Sequence, residues 1–172
     1  EVDMYGNETK SQLVALTATF VALITVGAWI SIPIPPVPLT LQTFFVLLAG
    51  VIMKRYAVIP AALYLVLGAL NVPVFHNALA GIGVILGPTG GFLIGFIPAA
   101  LIAGLAYEQK KRIIRITGLM AATGAIYIFG VSWLSFSTGI SLAQAVLIGV
   151  VPFLVGDSLK GIAVYYIGER LE

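Results

Sequence analysis

Pro152-Phe153-Leu154-Val155-Gly156-Asp157-Ser158-Leu159-Lys160 sets an acid and a base inside an apolar segment about long enough to cross a bilayer. An Asp or Lys near the centre of a transmembrane helix costs roughly 2.5 to 3.5 kcal/mol on insertion scales, so such residues are rare, face inward and mark function. Their i, i+3 separation puts both on one helical face. A buried ion pair is often no more stable than two apolar residues in its place, so mere self-neutralisation gives little reason to keep one. Asp157 and Lys160 are therefore the leading binding-site candidates. The competing reading is an ion pair within or between helices that holds no ligand.

Composition sets the class around that stretch. Of 172 residues, 60% are hydrophobic and only 9% charged, proportions of neither a soluble globular domain nor a disordered chain. At about 20 residues per spanning helix the chain has length for roughly five to seven spans and none for a soluble domain of useful size. It reads as one transmembrane domain, 1–172, with a polar tail at 1–9. ATP hydrolysis has to come from another chain, because no Gly-x-x-x-x-Gly-Lys-Ser/Thr loop is present and Gly83-Val84-Ile85-Leu86-Gly87-Pro88 lacks both the Lys and the hydroxyl. With no cysteine and a single histidine, His76, disulfides, thiolate sites and a histidine metal cluster are excluded. Glu1 to Thr9 has no basic n-region, so the span after it is expected to be retained. His76 itself is expected to be a solvated loop residue.

In chain order, Ser11 to Ile30 is the first apolar run, stopped by Ser31-Ile32-Pro33-Ile34-Pro35-Pro36-Val37-Pro38, whose prolines cannot continue a helix. Leu39 to Met53 is a short span carrying Gln42 and Thr43 in its first turn, and Lys54-Arg55 ends it. Ala57 to Leu70 is also short, with Pro60 near its start, where a missing amide proton is tolerated. Asn71 to Gly90 is a long Gly-rich connection with turn signals at Asn71, Pro73 and Gly87-Pro88-Thr89-Gly90. Gly91 to Tyr107 is the fourth span, 108–115 the most basic loop, Ile116 to Leu134 the fifth span and Ser135 to Ser141 a polar turn. Ser141 to Leu171 is too long for one straight span, so Pro152 is expected to divide it into a short outer helix and a sixth span.

Six spans put both termini on one side, and the charges agree. Lys10, Lys54, Arg55, Lys110, Lys111, Arg112, Arg115 and Arg170 then share one face, which the positive-inside rule makes cytoplasmic. Glu1, Asp3, Glu8, Glu108, Glu169 and Glu172 lie in the termini or the basic loop. Asp157 and Lys160 alone break the pattern. The loops 31–38, 71–90 and 135–141 carry no Lys, Arg, Asp or Glu. The expected fold is an all-α membrane protein, N-in and C-in, with a Gly/Pro-rich outer loop over a site suited to a small, partly apolar molecule.

Val37-Pro38-Leu39-Thr40-Leu41-Gln42-Thr43, then Val72-Pro73-Val74-Phe75, Gly87-Pro88-Thr89-Gly90-Gly91-Phe92-Leu93-Ile94-Gly95-Phe96, and Pro152 with Gly156-Asp157 and Lys160 resemble, in sequence and order, the BioY family. Those proteins are the biotin-specific substrate-binding (S) components of energy-coupling-factor (ECF) transporters. The resemblance spans about 15 to 170, and the Gly-Pro-Thr-Gly-Gly and Gly-Asp-x-x-Lys elements together carry its specificity. The chain departs from the pattern at His76-Asn77, where small residues are commoner, and at Lys54-Arg55-Tyr56, which replace a Gly-containing turn.

The resemblance implies capture of biotin at the outer face and transport with a coupling subunit and two ATPase subunits in the cell membrane of a prokaryote. It implies no cofactor, no nucleic acid and no covalent chemistry in this chain. Biotin has ureido donors, a ureido carbonyl, an apolar bicycle with a thioether, and a carboxylate on an aliphatic tail. Lys160 is suited to pair with the carboxylate or to donate to the ureido oxygen, and Asp157 or the Asn77 amide to accept from the ureido N–H groups. Gln42 and Thr43 stand at the same outer level, and against that stands a role in capping or bonding a neighbouring helix. Thr89, Gly90 and Gly91 can present backbone N–H groups at a helix N-terminus, or form only a turn. Phe75, Phe92, Tyr64 and Tyr127 are candidate walls for the ring, or packing residues.

Ala18-x-x-x-Ala22 has the small-residue spacing that lets helices approach closely, and in the family such a motif is the docking face for the coupling subunit. Internal packing is the alternative. Gly91, Gly95, Ala99 and Ala103 form a second stripe, read as internal packing. Three other functions stay open: an S component for another small vitamin, an ion-coupled secondary transporter, although neither a coupling-ion site nor an internal repeat is visible, and an intramembrane enzyme, for which Asp157 and Lys160 are the only acid–base material.

Overall fold

The structure, a computed structural model, describes residues 10–171. The expected tail, 1–9, lies outside the described residues. Five helical segments in that range are long and apolar enough to cross a membrane: Lys10–Trp29, Gln42–Ala69, Gly90–Tyr107, Arg112–Thr138 and Leu142–Leu171. The first is α1 (Lys10–Trp29), which runs into a small antiparallel bridge between β1 (Ser31–Ile32) and β2 (Leu39–Thr40). That bridge corrects the expectation that the second span begins at Leu39. The prolines between the two pieces turn the chain back on itself, and the Leu41 amide reaches the Gly27 carbonyl at 3.0 Å.

The second segment is two helices, α2 (Gln42–Met53) and α3 (Val58–Ala69). Gln42 and Tyr64, 22 residues apart, are joined by a 2.7 Å hydrogen bond, whereas a continuous helix would hold them roughly 33 Å apart. The chain therefore reverses at a turn of 3-10 helix, Lys54–Ala57. Lys54 takes a φ of 53°, a left-handed conformation that glycine adopts without penalty. Its carbonyl packs onto Gly104, where an added Cβ would stand only 2.1 Å away.

A short α4 (Ile82–Leu86) lies within the long 71–90 connection and precedes α5 (Gly90–Tyr107). The next helix, α6 (Arg112–Thr138), is longer than expected at both ends. Its start corrects the reading of 112–115 as loop. Buried Arg115 turns its head to the Gln109 carbonyl and Glu169, and exposed Arg112 reaches Tyr165, so the charges do not stop the helix. At the other end the hydroxyls of Ser135 and Thr138 donate to the Ile140 and Leu134 carbonyls, and Gly139, at φ 74°, closes the helix. The final segment divides as expected near Pro152, into α7 (Leu142–Gly149) and α8 (Leu154–Leu171). A reciprocal cap of Ser141 and Gln144 starts α7.

Three contacts fix how the helices are aligned. Arg55 grips Glu108 with two hydrogen bonds of 2.7 and 2.6 Å, which holds the Glu108 carboxyl below its ordinary pKa. Arg115 meets Glu169 at 3.2 Å, and Arg112 meets Tyr165. The turn after α2, the end of α5, the start of α6 and the end of α8 thus share one pole, and it is the basic one. Between the poles the stripe of small residues on α5 does pack internally: Ala99 and Ala103 are fully buried, and a Cβ on Gly91 would stand 2.3 Å from Cβ of Trp133.

Candidate functional site

At the opposite pole, α8 presents Asp157 and Lys160 from its first turns, and each is held by more than the other. Lys160 Nζ donates to Asp157 Oδ1 at 2.8 Å and to the Thr40 carbonyl at 2.7 Å. The Tyr127 hydroxyl donates to Asp157 Oδ2 at 2.6 Å. The two side chains are only 7% and 12% exposed, so the carboxylate and ammonium stand in a poorly hydrated setting where charge-assisted hydrogen bonds are strong. Three elements, β2, α6 and α8, are tied together by this network.

The pair forms part of the wall of a cavity of about 50 Å³. Gln42, Thr43, Thr89, Phe92, Tyr127, Asp157 and Lys160, all singled out from the sequence, line it together. Phe96, Leu93, Phe153 and Ile126 add apolar surface, and the proline segment contributes Val37 to Thr40. Ligand pockets are roughly 300 Å³ or more, so this arrangement is a contracted one that has to widen around a molecule larger than a few waters.

Five sequence-selected residues stand elsewhere. Tyr64 is behind the wall, fully buried, accepting from Gln42 Nε2 at 2.7 Å and donating to the Val74 carbonyl at 3.0 Å. Phe75 is core, its ring edge-on to Tyr64 and pressed into the space left by Gly68. Gly90 and Gly91 permit close approach: a Cβ on Gly90 would collide with the Ile85 carbonyl at 1.6 Å, and one on Gly91 with the Phe129 carbonyl at 2.4 Å. The Gly90 N–H is already bonded to the Gly87 carbonyl at 3.1 Å. Asn77 is exposed, in the left-handed conformation at φ 55°, and is not among the lining residues.

His76, expected to be solvated, lines the cavity, and burial pushes its imidazole pKa below the ordinary value. Nothing in its local sequence signals this; the turn at Asn77 and Ala78, both at positive φ, directs it. Thr40 was also missed as a participant, since its backbone carbonyl acts and no side-chain pattern reports a carbonyl. Phe96 was findable, one helical turn after Phe92 on α5.

Because Tyr64 spans Gln42 and Val74, it supports the wall rather than forming it. Tyr64→Phe leaves a buried amide and a buried carbonyl without their partner, and a loss of about 1 to 3 kcal/mol in stability is expected, measured by thermal unfolding in detergent. An unchanged unfolding temperature would remove Tyr64 from that role.

A small polytopic helical protein with basic residues at one pole and a half-apolar cavity with an ion pair at the other has the arrangement of a small-molecule binding site. Comparison with known proteins makes the class specific. The chain belongs to the BioY family, whose model matches residues 4–172. It is 43% identical over 164 residues to the "Probable biotin transporter BioY" of Pyrococcus horikoshii, covering 95% of this chain and 98% of that protein. It is 43% identical over 155 residues to the "Biotin transporter BioY" of Thermotoga maritima, covering 89% and 91%. Among solved structures it resembles the S-component for biotin from an ECF-type ABC transporter, with a TM-score of 0.84 and 26% identity over 95% of this chain and 94% of that one. These relatives are transport proteins of an archaeon and a bacterium, and this chain is likewise a multi-pass protein of a prokaryotic cell membrane.

Proposed function

We propose that this chain is the biotin-binding subunit of an ATP-driven ECF importer, the whole of 1–172 acting as one substrate-binding unit. The observation that carries the reading is the wall made by Asp157, Lys160, Tyr127 and Gln42 beside the aromatic rings of Phe92 and Phe96. A ureido ring needs matched donors and acceptors, a carboxylate needs a cation, and the thioether bicycle needs apolar surface. All three are present within one cavity. Biotin would enter by displacing the Asp157–Lys160 hydrogen bond in part, so that the pair exchanges contacts with itself for contacts with the ligand.

The names of the relatives and of the structural neighbour support biotin over another vitamin. In the same reading six passes leave both termini in the cytoplasm, the cavity opens outward, and a coupling subunit with two ATPase subunits supplies the power stroke. Proteoliposome uptake with and without the ATPase subunits tests this directly: biotin accumulation that needs ATP and those subunits is expected, and accumulation driven by an ion gradient alone would replace the reading with secondary transport.

Orientation has its own test. Single cysteines at Asn77 and Ser137 are expected to label from outside, and ones at Lys54 and Lys111 only after permeabilisation, because the native chain has no cysteine and the basic pole should face the cytoplasm. Reversed accessibility would overturn the outward-facing cavity.

A further inference from the structure

A second and larger hollow, of about 640 Å³, lies between α6 and α8 on the outside of the helix bundle. Its floor is made by Gly124 and Gly161, at each of which an added Cβ would meet nothing within 4 Å. Its rims include the exposed side chains of Met120, Ile162 and Tyr166. Tyr127, Leu154 and Asp157 line one end, and Arg112 heads the other. Arg112 lies over the Tyr165 ring and uses Nε on the Tyr165 hydroxyl. Its two terminal nitrogens make no hydrogen bond or ion pair among the described residues, and Lys111 stands beside it in the chain.

We infer that this groove holds one anionic phospholipid of the leaflet at the basic pole, with the phosphate on Arg112 and one apolar chain lying over Gly124 and Gly161. Length favours a lipid over a helix. From Arg112 to Tyr127 the groove runs about 22 Å along α6, which suits the half-thickness of a roughly 30 Å hydrocarbon core together with the headgroup layer at one surface. Charge favours an anionic headgroup, because a basic residue at the mouth of a cleft between transmembrane helices is where such headgroups bind. The missing side chains at the two glycines leave a trough in which an unbranched or methyl-branched chain can lie, where a ridge of side chains would otherwise stand. The chain end then stops against Tyr127 and Asp157, which also belong to the cavity wall, so the lipid would keep water off the outer side of the site's ion pair. The inference rests on the membrane reading and not on biotin.

The test uses the full chain, delipidated in detergent and offered equal amounts of phosphatidylglycerol and phosphatidylcholine with the same acyl chains, with retention read by native mass spectrometry. One phosphatidylglycerol per chain, retained at least tenfold over phosphatidylcholine, is expected. Arg112→Gln should bring that preference close to parity. Gly124→Leu with Gly161→Leu fills the trough and should abolish retention of both lipids, with thermal unfolding in detergent confirming that the variant is folded and Gly124→Leu alone serving if it is not. Equal retention of the two lipids by the wild type, or phosphatidylglycerol retained by the filled variant, would overturn the site. A lipid-free dimer of the wild type that dissociates when the trough is filled would give the groove to a second copy of the chain instead.

Discussion

Asp157→Asn and Lys160→Ala should each weaken biotin binding by about 2 to 5 kcal/mol, roughly 30-fold to several thousandfold in Kd, while the protein stays folded. The geometry explains why folding survives. After Asp157→Asn the ammonium of Lys160 still has the Thr40 carbonyl at 2.7 Å, and after Lys160→Ala the carboxylate still has the Tyr127 hydroxyl at 2.6 Å. Each remaining charge keeps one partner, so the penalty of an uncompensated buried ion is softened. The ligand has no such reserve, because its carboxylate or ureido group loses a charge-assisted contact inside a site largely closed to water. A purely structural ion pair gives the opposite ordering, with a fall in unfolding temperature and intact affinity. Titration calorimetry beside thermal unfolding separates the two, and unchanged calorimetry for both variants would take these residues out of the site.

Much of this arrangement can be read from residue types, and the part that cannot has a consistent physical character. Pro152 announces the break between α7 and α8 because an imino acid cannot donate to the helix ladder, and the isolated charges announce the cavity because a bilayer makes them expensive. What stays hidden depends on backbone contacts between distant segments. The pairing of Ser31 with Thr40 follows from close packing of Leu41 on Gly27, and the aim of His76 follows from two consecutive residues at positive φ. Gly90 and Gly91 look in sequence like donors at a helix N-terminus; in space their absent side chains are what matters, since they let α5 approach α6 and the preceding α4. Phe75 and Tyr64 look like ring walls because aromatic residues serve equally as walls and as packing, and only the position of Gly68, into which Phe75 fits, decides between them.

Placing the cavity at one pole and the exposed alanines along α1 also makes binding and coupling separable. The small-residue stripe on α5 is consumed by contacts within the chain, whereas Ala18 and Ala22 are exposed on α1 among the described residues. Their sequence spacing is the same as that of the α5 stripe, so spacing alone could not tell an internal seam from an external one.

Ala18→Leu with Ala22→Leu is therefore expected to leave biotin affinity unchanged and to abolish ATP-driven uptake. Both alanines face away from the bundle, so larger side chains there extend into lipid or detergent and disturb no internal packing. A partner helix seated on that face would be held off by more than side-chain repacking can absorb, since close approach of membrane helices depends on small residues at the contact. Three measurements separate the outcomes: calorimetry with biotin, pull-down of the coupling subunit, and uptake into proteoliposomes carrying the ATPase subunits. Normal calorimetry with lost pull-down and lost uptake is the expected pattern. Retained pull-down and uptake would move the docking face to another side of the molecule, and a fall in biotin affinity with assembly intact would mean that α1 shapes the cavity through its link to β1 and β2.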